Sequence, residues 1–70
     1  MAESAITKRV AARIMQLREQ RGMSQETLAA KAGINRVTLA RLELGQHQPK
    51  HDTLERIARE LGVSLVSLLK

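Results

Sequence analysis

An all-α domain of five short helices is the fold class this sequence predicts, and three observations predict it. Apolar residues recur at helical spacing along nearly the whole chain, with no alternating strand pattern. The periodic stretches stop at Gly22, Gly33, Gly45 and Gly62, and Ser4, Ser24, Asn35 and Ser64 precede stretches as cap residues. The single proline, Pro49, falls between stretches and inside none.

Length and composition bound the rest. Seventy residues allow one domain, and a chain of this size buries only about 60% of its unfolded surface, so stability is modest. There is no cysteine, hence no disulfide or thiolate metal site, and the redox compartment stays open. There is no aromatic residue. Core volume must come from Leu, Ile, Val, Met and Ala, and no platform exists for base stacking, which argues against single-stranded nucleic acid as the main ligand. The formal charge of +5 and pI near 10.8 favour polyanions. No apolar run reaches the roughly 20 residues of a membrane span, and no signal-peptide apolar region opens the chain. A soluble cytoplasmic protein is the expectation.

Residues 1–4 are expected to form an arm. Ser4 caps a first helix running to about residue 21, with Ile6, Val10, Ile14 and Leu17 as its core stripe. Lys8, Arg9, Arg13 and Arg21 lie mostly off that stripe. Ser24 caps the second helix, and Met23 and Leu28 have the spacing of a hydrophobic staple. Leu28, Ala29 and Ala32 share one face, and Gly33 supplies the left-handed stop. Asn35 caps a third helix only two residues later, with Ile34 and Leu39 repeating the staple. So short a connection forces the two helices to cross steeply, as in a helix-turn-helix.

On a wheel of about 100° per residue, Leu39 and Leu42 lie inward on the third helix. Val37, Ala40, Arg41 and Leu44 lie outward, flanked by Arg36 and Thr38, and Glu43 falls nearer the inner side. The outer face is therefore cationic, small and partly apolar, without an acid. It suits a DNA major groove, where arginine bridges guanine O6 and N7 and methyl groups meet the thymine methyl.

The segment 46–50 reads as a polar loop. His47 and His51 flank Pro49, so one helix does not hold both, and polar loop groups over a phosphate fit better than a metal. Asp52 with Glu55 resembles a capping box opening a fourth helix, which buries Leu54, Ile57, Ala58 and Leu61. Ser64 caps a short last helix, 65–69, whose Leu65, Val66, Leu68 and Leu69 cannot all face one core. The surplus, Val66 and Leu69, is a candidate protein contact.

Residues 24–45 resemble the helix-turn-helix of the phage repressor and Cro family of small bacterial regulators. Gln25, Ala29, Gly33, Ile34, Leu39, Leu42 and the Glu43-x-Gly45 ending before Pro49 carry the likeness, with LREQRGMSQ upstream and IARELGVS downstream. It covers residues 8–69. The resemblance implies a compact five-helix lambda-repressor-like DNA-binding domain, with the motif on helices two and three. It implies that Arg18 pairs with Glu43, and that Arg13 lies near the DNA backbone because the family's first helix does. The family's residue before the final glycine is usually polar; here it is Leu44, so no phosphate contact is assigned there.

The function expected is a sequence-specific double-stranded DNA-binding transcriptional regulator. Arg36, Val37, Thr38 and Arg41 would read base edges. Ser24, Gln25, Asn35, Arg13, His47, Gln48 and Lys50 would contact the DNA backbone, the first two through the helix start and the last three as a second clamp. The Gln25 amide could also orient a groove-facing neighbour. One recognition helix spans too few base pairs for genomic specificity, so a homodimer on a near-palindrome is expected, joined through Val66 and Leu69. No cofactor, metal or catalytic constellation is expected, and the chain reads as a non-enzyme. Two other classes stay open: a protein-interaction module of antitoxin or coactivator type, with a second protein partner, and a basic membrane-surface protein. Helix caps every ten or so residues favour a packed bundle over the latter.

Overall fold

The computed structural model describes residues 5–70, with side chains from Thr7 onward. The arm expected at 1–4, the Ser4 cap and the Ile6 side chain lie outside the described residues. Five helices follow in order: α1 Ala5–Gln20, α2 Gln25–Ala32, α3 Arg36–Glu43, α4 His51–Leu61 and α5 Leu65–Leu69. Among the described residues there is no strand.

The caps explain where three helices begin. Ser24 Oγ accepts the Thr27 amide at 3.0 Å, and Asn35 Oδ1 accepts the Val37 amide at 2.6 Å. Ser64 Oγ accepts the Ser67 amide at 3.0 Å. Each bond satisfies an amide that has no partner within its own helix. Met23 and Ile34, the outer residues of the two expected staples, pack half-buried against a core that contains Leu28 and Leu39.

The start of α4 differs from the sequence expectation. Asp52 and Glu55 are not a capping box. The N-cap is Lys50, in extended backbone after Pro49 and without a side-chain cap bond, so Asp52 already lies in the first turn. Its charge still suits a helix N-terminus, and it meets Arg56 at 3.9 Å across one turn.

The core is aliphatic throughout. Val10, Ile14 and Leu17 of α1 meet Leu28, Ala29 and Ala32 of α2, Leu39 and Leu42 of α3, Ile57, Ala58 and Leu61 of α4, and Leu68 of α5. α1 packs against α3, α4 and α5, while α2 packs against α3 and α4. This arrangement holds α3 with one side in the core and the other in water.

Between α2 and α3, Gly33 stands at φ 71° and closes α2 through its backbone N–H. A Cβ there would meet only the flexible end of Arg56, 3.5 Å away. Space is available, so the cost of a side chain is conformational. Gly33→Val should destabilise the domain by about 1–3 kcal/mol, seen as a lower melting temperature in far-UV circular dichroism. Gly33→Asn, which tolerates left-handed backbone better, should lose less. A melting temperature unchanged by valine would contradict this account of the turn.

Candidate nucleic-acid interface

The site is built on α3 and what holds it. Leu39 and Leu42 are 0% and 1% exposed, so the helix cannot roll without opening the core. Its outer side then presents Arg36, Val37 and Arg41 to solvent, with Thr38 and Ala40 half-buried between them. Val37 is 47% exposed and Leu44, just past the helix, 69%.

The acid of α3 is kept off that side. Glu43 is buried and takes a two-pronged contact from Arg18, Nε to Oε2 at 2.7 Å and Nη2 to Oε1 at 3.1 Å. Arg18 Nη1 also donates to the Met23 carbonyl at 2.7 Å, and Gln25 Nε2 donates to Glu43 Oε1 at 3.0 Å. The hydrogen bond to Glu43 raises the Arg18 pKa, against the opposing effect of burial. The guanidinium thus stays charged at any ordinary pH. One buried network ties α1, the start of α2 and the end of α3, and leaves the outer face of α3 without a carboxylate.

Around α3 the expected backbone ligands fall into three groups. Ser24 is exposed at the start of α2, where its hydroxyl also donates to Thr27 Oγ1 at 2.9 Å. Gln25 beside it is half-buried, its amide engaged by Glu43 rather than by a groove-facing side chain. Asn35 is exposed with its carbonyl oxygen used by the cap. His47, Gln48 and Lys50 are all exposed in the 46–50 loop. His47 and Gln48 also edge an open cavity of about 100 Å3, shared with Thr7, Ala11, Leu42 and Leu69. That volume is below the 300–1,000 Å3 of ordinary small-molecule sites.

Arg13 is engaged within the fold. Its Nε donates to the Ser67 carbonyl of α5 at 3.0 Å, and Arg9 Nη1 one turn earlier donates to the Lys70 carbonyl at 3.2 Å. The two arginines lie on the flank of α1 that packs against α5, and through its Nε Arg13 ties α1 to the last helix. On α5 itself Leu68 is fully buried, whereas Val66 and Leu69 are 63% and 44% exposed. The Gln25–Glu43 bond and the two arginine anchors on α5 had no signal in the sequence, because each joins positions 18 or more apart. No described helix is long and apolar enough to cross a membrane.

Comparison with known proteins agrees with this architecture. The helix-turn-helix family model matches residues 14–68. The HTH-type transcriptional regulator y4dJ of Sinorhizobium fredii is 37% identical over 62 residues, covering 89% of this chain and 80% of that protein. Several curated relatives are longer, and the chain spans 46%, 42% and 51% of three of them. The restriction-modification controller protein C.AhdI from Aeromonas hydrophila superimposes with a TM-score of 0.88 at 29% identity, over 93% of this chain and 98% of that one. SinR, the Bacillus subtilis master regulator of biofilm formation, was solved in complex with DNA. It matches with a TM-score of 0.83 at 34% identity, over 87% of this chain and 98% of that one. With the aliphatic five-helix core, the capped α2–turn–α3 unit and the family match over most of its length, this chain belongs to the Cro/C1-type helix-turn-helix family of transcriptional regulators.

Proposed function

We propose that this chain binds double-stranded DNA sequence-specifically, laying α3 in the major groove as a regulator of transcription. The observation that carries the reading is the outer face of α3. It is exposed and bears Arg36 and Arg41 beside small and methyl-bearing side chains, while its carboxylate is buried against Arg18. Arg36 and Arg41 would take guanine edges, with Val37 and Thr38 against neighbouring bases. Ser24, the first amides of α2 and Asn35 would hold one phosphate run, and His47, Gln48 and Lys50 another. Gln25 would act from behind, fixing the start of α2 to α3 through Glu43. No catalytic role is proposed, and the working compartment is the cytoplasm, where duplex DNA is the ligand.

Selection of binding sites from a random duplex pool tests this directly. The expected outcome is an enriched site whose two halves are related by a two-fold, centred about 34 Å apart. A pool that remains random after selection would overturn the reading.

The same proposal includes a homodimer through α5. Val66 and Leu69 project from a helix fixed by Leu68 below and by Arg9 and Arg13 at its end. The patch is small, so association should be weak in solution and tighten on DNA. Val66→Glu should leave the melting temperature within the range of ordinary surface changes, about 0.5 kcal/mol, and weaken cooperative binding to the selected site. Sedimentation with and without duplex checks it: a strict monomer on DNA would exclude the dimer, and an unfolded variant would assign Val66 to the core.

A further inference from the structure

We propose that Lys8 is the phosphate ligand that α1 contributes to the DNA interface; this rests on the reading of α3 given above. On a wheel of about 100° per residue, Val10, Ile14 and Leu17 mark the buried stripe of α1. Arg9 and Arg13 lie on one flank and each donates one N–H to a carbonyl at the end of the chain, Lys70 and Ser67 respectively. Lys8 lies on the other flank, one turn before Ala11 and two before Met15.

Two contacts show what that second flank faces. Gly45, which follows α3, is buried, and a Cβ built on it would lie 3.5 Å from Lys8 Cγ and 3.8 Å from Lys8 Cα. Thr7 and Ala11, on either side of Lys8 along α1, share a cavity wall with His47 and Gln48. The Lys8 stem therefore covers the end of α3 beside the loop assigned to the second phosphate clamp. Long cationic side chains commonly lie this way, with the methylenes packed and the ammonium in water. Lys8 is exposed and has no hydrogen bond or ion pair among the described residues. Residues 44–50 contain no acid, and Glu43 is buried against Arg18. An ammonium held at this edge, with Lys50 across the loop, extends the cationic rim of α3 toward the backbone that flanks the groove. The interaction is one of charge with a phosphate oxygen and carries no base information.

The test uses the full chain and the duplex recovered by selection, with affinity measured across a salt series. Lys8→Gln should weaken binding roughly 5- to 10-fold near 0.1 M salt, equally on preferred and altered duplexes. It should reduce the slope of log K against log salt by about 0.9 per bound chain. Lys8→Arg should restore both, and Arg13→Gln should leave the slope unchanged. Melting temperatures of Lys8→Gln and Lys8→Arg should match the parent. An unchanged slope in Lys8→Gln, or an equal loss in Arg13→Gln, would overturn the assignment while leaving the α3 reading intact. A parent chain that shows no duplex preference would overturn both.

Discussion

Glu43→Ala should remove about 3–5 kcal/mol of folding stability, because it strands a buried guanidinium. Arg18 and Glu43 are 9% and 6% exposed, and Arg18 would keep only its bond to the Met23 carbonyl and a loose 3.9 Å contact with the exposed Glu19 carboxylate. Gln25 Nε2 would lose its acceptor as well. Domains hold roughly 0.05–0.15 kcal/mol per residue, about 4–10 kcal/mol for a chain of this size. A loss of 3–5 kcal/mol therefore takes a large part of the total, and the variant should be partly unfolded at 37 °C. With no tryptophan or tyrosine, the measurement is urea unfolding followed by far-UV circular dichroism. The raised Arg18 pKa means that the guanidinium's share of this contribution is not lost as pH rises through the working range. Replacing both partners by apolar residues of similar shape, Arg18→Met with Glu43→Leu, should recover most of the loss, because no charge is then left unpaired. A single-variant loss under about 0.5 kcal/mol, the size of an exposed pair, would refute the picture of a buried network.

Arg41→Ala should weaken binding to the selected site by about 1–3 kcal/mol, roughly 5- to 150-fold, and relax preference at one base pair. The reason is geometric. Arg41 lies one turn beyond Val37 on the exposed side of α3, and Leu39 and Leu42 on the opposite side prevent the helix from turning it away. A bidentate guanine contact is lost entirely on truncation, whereas a phosphate contact would be lost alike on every sequence. Binding to the selected duplex and to its single-base variants separates the two. Equal weakening on all of them would move Arg41 to the backbone. Arg36→Ala should behave as Arg41→Ala does, at a different base pair.

The parts of this protein legible in the sequence are those set within a turn or two. Ser24, Asn35 and Ser64 cap because each reaches an amide two or three residues ahead. Periodicity alone placed Leu39 and Leu42 inward and Arg41 outward, and it required some of the four apolar residues of α5 to remain outside, which are Val66 and Leu69. The Arg18–Glu43 pair, 25 positions apart, was legible only through the family resemblance. Even locally, backbone overrode pattern at α4: Asp52 and Glu55 have capping-box spacing, yet Pro49 and the extended Lys50 start the helix two residues sooner.

Local sequence thus determined the five helices and the side of each that is buried, since turns, caps and hydrophobic stripes depend on neighbours along the chain. Tertiary structure decided which polar side chains are free. Arg9 and Arg13 are engaged because α5 brings its terminal carbonyls within hydrogen-bond reach, and Gln25 is engaged because α3 delivers Glu43 to it. Lys8, on the other flank of the same helix as Arg9, is left without a polar partner among the described residues. A cation's role is set by what lies within about 3–4 Å of it, and across helices that distance exists only after packing.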